Sequence, residues 1–142
     1  MADVPPAVAA VFDAIETGDW APVKDVLADD VLYDGSVPEW HFQMQGADDV
    51  LDEISGTTAQ HTWRFHERRV TRTESGVLVE MELRGRCPGG DDHPAHEEAT
   101  RNAMVFDLDA AGRLAEIRLI CSGEWDDTVI ARIEAEAPMV RR

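Results

Sequence analysis

Three places in this chain carry side chains that could move a proton. In Ser122-Gly-Glu-Trp-Asp-Asp127, acids gather beside an indole. A carboxyl walled by Trp125 and aliphatic groups has its charged form disfavoured, so its pKa climbs toward the range useful for proton transfer near neutral pH. Glu124 is the acid so placed, and its plainer role is an exposed charge near a helix start. Asp34, which closes the run Val31-Leu-Tyr33, is a second carboxylate; it could also simply end the strand or turn with Gly35. His41, beside Trp40, could hydrogen-bond a ligand carbonyl or shuttle a proton, or face solvent.

Around these stand groups suited to a small apolar or polycyclic ligand. Trp20, Tyr33, Trp40, Phe42, Trp63, Met104 and Trp125 offer flat or adaptable surface, and Asn102 a polar handle. No serine, cysteine or lysine sits in a nucleophile motif, and no glycine loop fits a nucleotide phosphate. Asp91, Asp92, His93, His96 and Glu97 are metal-ligand types, but Pro94 interrupts helical spacing and two glycines precede them, so an exposed turn is expected rather than a metal site. No cofactor is expected.

These residues need elements to hold them. Met104, Phe106 and Leu108 alternate on one arm of a ribbon, Ile117, Leu119 and Cys121 on the other, with Asp109-Ala-Ala-Gly112 as the turn. If the second arm points those residues inward, strict alternation sends Glu124 outward, and only a bulge at Ser122-Gly123 turns it in. Asn102 faces inward if Met104 does, leaving Arg101 to pair with Glu80 or Glu82 or to sit at a dimer interface. Upstream, His61 to Thr73 and Val77 to Cys87 form a hairpin about Glu74-Ser-Gly76. Val8, Val11, Phe12 and Ile15 mark a first helix stopping near Gly18, and Asp19 opens a second carrying Trp20, Val23, Val26 and Leu27. Asp48, Val50, Leu51 and Ile54 mark a third helix, ended by Gly56. Asp126 or Asp127 caps a last helix with Val129, Ile130 and Ile133 inward. The aromatic segment from Gly35 to Gly46 is expected to be a loop lying over the open end of the fold, with Trp40 or Phe42 directed inward.

The 142 residues suit a single domain, spanning 1–142. Twenty-nine acidic against thirteen basic residues give a formal charge of -16, which repels phosphate backbones and anionic membranes. No nucleic acid or membrane partner is expected. Cys87 and Cys121 read as reduced thiols of a cytoplasmic protein.

Helix, helix, short strand, helix, four long strands and a terminal helix describe an α+β fold: a cone-shaped, curved antiparallel sheet wrapped around three N-terminal helices, with a C-terminal helix. This chain resembles the nuclear transport factor 2-like superfamily, and within it the SnoaL-like branch, through Phe12-Asp-Ala-Ile-Glu-Thr-Gly-Asp-Trp20, Ala28-Asp-Asp-Val-Leu-Tyr-Asp34, the helix led by Gly46, and Asp109-Ala-Ala-Gly-Arg-Leu114 through Glu124-Trp125. The resemblance implies that Glu124, matching the acid before Trp in SnoaL-like cyclases, is a general acid/base. It implies no ketosteroid isomerase chemistry, because the positions matching that family's tyrosine, acid and base read Val11, Met104 and Gly35. The expected activity is cofactor-free proton transfer for cyclisation or isomerisation of an apolar carbonyl compound; the alternative is a binding or assembly module. A homodimer is expected across the sheet's outer side, where Arg101, Val105, Arg118 and Ile120 stand.

Overall fold

Residues 3–59, 61–137 and 140 are described by the structure, a computed structural model. Helix α1 (Pro6–Thr17) starts with proline in its first turn, where no amide partner is missed, and stops at Gly18, whose φ of 75° lets its N–H return to Ala14 O. Its buried face is Val8, Val11, Phe12 and Ile15, as their spacing predicts. Helix α2 (Ala21–Lys24) is a single turn introduced by Asp19, whose side chain accepts from the Ala21 N–H at 3.1 Å. Strand β1 (Leu27–Val37) and strand β2 (Trp40–Gln45) form a hairpin leading to helix α3 (Ala47–Thr58). Four long strands follow: β3 (Thr62–Arg72), β4 (Gly76–Cys87), β5 (His96–Leu108) and β6 (Leu114–Asp126). Helix α4 (Asp127–Glu136) closes the order, with the Asp126 carboxylate accepting from the Val129 N–H at 2.9 Å, a cap worth about 1 kcal/mol.

The strands form one sheet, β2-β1-β6-β5-β4-β3, curved and unclosed. Every neighbouring pair is antiparallel except β1 and β6, which run parallel. The α+β class stands as read, and the sheet is mixed. Val77, Val79 and Met81 of β4, Phe106 of β5, and Leu114 and Ile117 of β6 are sealed against Val8, Val11 and Val50 of the helices. Deleting a ring sealed as Phe106 is costs about 3–5 kcal/mol, so this layer fixes the strands that carry the site.

Four segments depart from expectation. The second helix holds only Val23 of its four expected apolar residues: Trp20 precedes it, Val26 lies beyond its end at Lys24, and Leu27 already opens β1. The aromatic stretch is not a loop: residues 40–45 pair with β1 as an edge strand, and the turn at Pro38-Glu39 is made with Glu39 at φ 65°. Helix α3 runs through Gly56 to Thr58, because a single helical glycine costs only about 1 kcal/mol. Helix α4 buries none of its residues; Val129, Ile130 and Ile133 give it only a half-covered stripe. Among the described residues no helix is long and apolar enough to cross a membrane.

Candidate active site

The bulge anticipated at Ser122-Gly123 is present. Thr100 pairs with Glu124 and Asn102 with Cys121, so Arg101 alone opposes Ser122 and Gly123. Gly123 takes φ 84°, and the Ser122 hydroxyl accepts from the Arg101 N–H at 3.0 Å, bonding the extra residue in place. Two residues therefore occupy one step of the pleat, which puts Glu124 on the same concave side as Leu119 and Cys121. Gly123 also backs onto Pro38 in the β1–β2 turn: a Cβ there would lie 2.9 Å from the proline Cγ. The bulge and the tip of the aromatic hairpin are thus one packed unit.

On the concave side Glu124 meets Glu98, diagonal to it and two residue pairs further along the ribbon, and the two carboxyls share a hydrogen bond. Glu98 is buried and hemmed by imidazoles: His96 Nε2 lies 2.6 Å from Oε1, and His61 Nε2 lies 2.7 Å from Oε2, off the line of a hydrogen bond. Glu124 is an exposed residue and Trp125 does not wall it, but the partial desolvation of its carboxyl pushes the pKa up, and the hydrogen bond to Glu98 and that group's negative charge push the same way. Burial also pushes Glu98 up, but the hydrogen bonds from Glu124 and His96 and the nearby His61 outweigh it, leaving that carboxyl below its ordinary range. The two carboxyls therefore titrate as a pair, with Glu124 the member pushed toward its protonated form. Such a pair can protonate an oxygen while a carboxylate stands ready beside it.

Polar groups continue along the same face. Thr100 Oγ1 donates to Asn102 Oδ1 at 3.3 Å and lies 3.3 Å from Cys121 Sγ. The Tyr33 hydroxyl is kept protonated, first by burial and then by the charge of Glu53. The buried indole N–H groups of Trp20 and Trp63 have no protein acceptor. Trp63 stacks on His61 with centroids 4.9 Å apart, and its ring covers Gly85 so closely that a Cβ there would sit 2.6 Å from it.

Of the expected site residues, the structure gathers Glu124, Tyr33, Asn102 and Met104 on the inward face of the sheet, with Trp20 and Trp63 in the core beside it. Phe42 joins them by stacking on Tyr33, at 5.4 Å and 9° between planes, above Gly35. Trp40 shares that parity but stands at the hairpin tip, 69% exposed, so it covers nothing in this state. Asp34 and His41 are elsewhere. They alternate to the convex side, where Asp34 accepts from Gln43 Nε2 at 2.6 Å and lies 2.9 Å from His41 Nε2. The hydrogen bonds from Gln43 and then His41 hold the Asp34 carboxyl below its usual range, which suits a fixed surface acceptor rather than a proton carrier. Trp125 is opposite Ala99, one step off Glu124 and hence on the convex face. Arg101 pairs with Glu82 at 3.6 Å and Glu67 at 3.3 Å.

Glu98, His61 and His96 were not anticipated as site residues. The signal for Glu98 was present: the alternation that turns Met104 and Asn102 inward continues to Thr100, Glu98 and His96.

Comparison with known proteins agrees with this architecture. A family model described as a SnoaL-like domain matches residues 8–117. A search of curated proteins returns no match. Solved structures with the same fold include an NTF2-like protein from Anabaena variabilis, 18% identical, with a TM-score of 0.65, covering 82% of this chain and 84% of its own. A candidate polyketide cyclase from Xanthomonas campestris is 18% identical with a TM-score of 0.65, covering 80% of this chain and 86% of its own. A phenazine biosynthesis-related protein from Pseudomonas aeruginosa is 15% identical with a TM-score of 0.62, covering 94% and 88%. At such identities the likeness establishes the fold.

Proposed function

This chain belongs to the family of SnoaL-like domains, and on that premise we propose that it transfers protons on a small apolar carbonyl compound, in an isomerisation or an intramolecular cyclisation. The observation that carries the reading is the bulge at Ser122-Gly123, which turns Glu124 to the concave side beside Glu98. Glu124, in its protonated form, donates a proton to the carbonyl oxygen; Glu98, the adjacent carboxylate, takes the proton from the α-carbon. The enol so formed can be reprotonated at another carbon, which is isomerisation, or attack a second carbonyl in the same molecule, which is cyclisation. Tyr33, Phe42, Trp63 and Met104 supply the apolar wall that would hold such a ligand, and Asn102 a hydrogen bond to orient it. Structural neighbours that include a candidate polyketide cyclase support the same class of reaction. The convex face, where Ile120 is 68% exposed among arginines, is proposed as a homodimer interface, and the cytoplasm as the site of action.

The test is hydrogen exchange in D2O, followed by NMR at the α-carbon of a panel of cyclic ketones and 1,3-diketones. Wild type is expected to exceed buffer, and Glu124→Gln to lose ~10²- to 10⁴-fold, the usual contribution of a positioned acid or base. Equal rates in the two proteins remove Glu124 from the chemistry. If wild type exchanges nothing while a panel member raises its melting temperature, the chain is a binding module instead.

A further inference from the structure

The connection from β4 to β5, Pro88 to Ala95, carries side chains that the proton-transfer reading leaves unused. Cys87 ends β4 and pairs directly with His96, the first residue of β5. The loop between them doubles back, with the Gly90 N–H donating to His93 O at 2.9 Å, and this returns His93 to Cys87. Its Nε2 comes to 3.4 Å from Cys87 Sγ. One donor atom each from Cys87, His93 and His96 then lies within 4.8 Å of the others, and a second such group, His61, Cys87 and Glu98, shares the same sulfur. Pro94 breaks helical spacing, as the sequence indicates, but strand register and loop closure bring the donors together without a helix.

We propose that Cys87, His93 and His96 bind a divalent transition metal, zinc foremost, with the remaining coordination position opening toward His61 and Glu98. A thiolate with two imidazoles is a borderline-soft donor set that suits tetrahedral zinc and disfavours magnesium or calcium. His93 is already oriented as a metal-bound histidine is: Nδ1 lies 2.8 Å from Asp92 Oδ1, which leaves Nε2 facing the sulfur. Cys87 is buried, and the Gly89 N–H points at its sulfur. An independent sign of a missing partner comes from His61. Its side chain is only 9% exposed, yet Nδ1 has no protein hydrogen-bond partner, and Nε2 lies 2.7 Å from Glu98 Oε2 but off the line of a hydrogen bond. A buried imidazole nitrogen left without a partner beside a thiol is what a bound cation resolves. To reach the metal His96 gives up one of its two contacts, Nδ1 to Pro94 O at 2.9 Å or Nε2 to Glu98 Oε1 at 2.6 Å.

The experiment is a Co2+ titration of the chelator-treated full chain, read by the sulfur-to-cobalt charge-transfer band and the intense visible bands of tetrahedral cobalt, followed by displacement with Zn2+. Wild type is expected to take one equivalent and give the charge-transfer band. Cys87→Ser is expected to abolish the band, and His93→Asn, on the exposed loop and outside the core, to weaken Zn2+ at least about 10-fold. His66→Gln, on the outer face, is expected to match wild type. A wild-type protein with no charge-transfer band in excess Co2+, or a His93→Asn protein that binds Zn2+ as tightly as wild type, overturns the proposal. No readout here depends on turnover, so the result is separable from the fate of the proton-transfer reading.

Discussion

Replacing Gly123 by alanine tests the geometry on which the whole site depends, without touching an ionisable group. Two penalties add at that position. A residue with a Cβ held at φ 84° is worse than glycine by about 1–2 kcal/mol. The new methyl would also lie 2.9 Å from Pro38 Cγ, and crowding of this kind costs about 1 kcal/mol where the neighbour stands in a turn that can yield. Gly123→Ala should therefore lose roughly 2–3 kcal/mol, read as a lower urea midpoint at unchanged slope. Gly112→Ala is the internal control: φ is 81° and a Cβ there would meet nothing within 4 Å, so it should lose only the backbone part, about 1–2 kcal/mol. The strain at Gly123 is relieved most readily by undoing the bulge, which swings Glu124 off the concave face. Gly123→Ala should for that reason also lower exchange activity, and Gly112→Ala should not. A Gly123→Ala protein within about 0.5 kcal/mol of wild type, or one less affected than Gly112→Ala, refutes the account of the bulge.

Trp40→Ala should change stability by less than about 0.5 kcal/mol, because the indole is exposed, whereas Trp63→Ala, sealed over Gly85, should lose about 3–5 kcal/mol; denaturant curves decide. His41→Gln should leave exchange rates at the wild-type level, since its partner Asp34 is on the far side of the sheet from Glu124. On the proposed convex-face interface, wild type should sediment as a dimer and Ile120→Asp as a monomer at the same concentration. Stability against pH should show the carboxyl pair. Glu124 has a folded pKa above its free value of 4.5, so the stability linked to it is full below 4.5 and lost as pH rises through the raised value. Glu98 has a lowered folded pKa, so its contribution is present above 4.5 and lost as pH falls through the depressed value. The charged groups facing Glu124 are Glu98 and His96 on β5 and His61 before β3, and Glu98 is the one that repels it. Glu124→Gln should raise the urea midpoint at pH 7 relative to wild type, and the difference should close toward pH 4.

Local pattern carried most of the fold. The three- and four-residue spacing in α1, the alternation in β4 to β6 and the turn at Asp109-Ala-Ala-Gly112 are each decided by nearby residues, and the structure has them where the pattern puts them. The β1–β2 hairpin escaped because its turn lacks an Asn-Gly or Asp-Gly pair and is made instead by Glu39 at positive φ, a conformation glutamate gives no sign of in sequence. With the hairpin unread, nothing in the sequence shows that Asp34 and His41 are cross-strand neighbours on one face while Trp40, next to His41 in the chain, is on the other. Glu124 could be placed only conditionally, since one inserted residue reverses a whole strand end. Cys87, His93 and His96 meet through the β4–β5 register, a long-range fact that spacing along the chain does not encode.

The most direct measurement is the titration of Glu124 itself, by NMR of protein carrying 13C-labelled glutamate carboxyls, in chelator-treated wild type and in Glu98→Gln. The predicted result is a Glu124 pKa above 4.5 in wild type that falls toward the ordinary value once Glu98 carries no charge. A Glu124 that titrates at its ordinary value in wild type, or that is unmoved by Glu98→Gln, contradicts the titration of the two carboxyls as a pair.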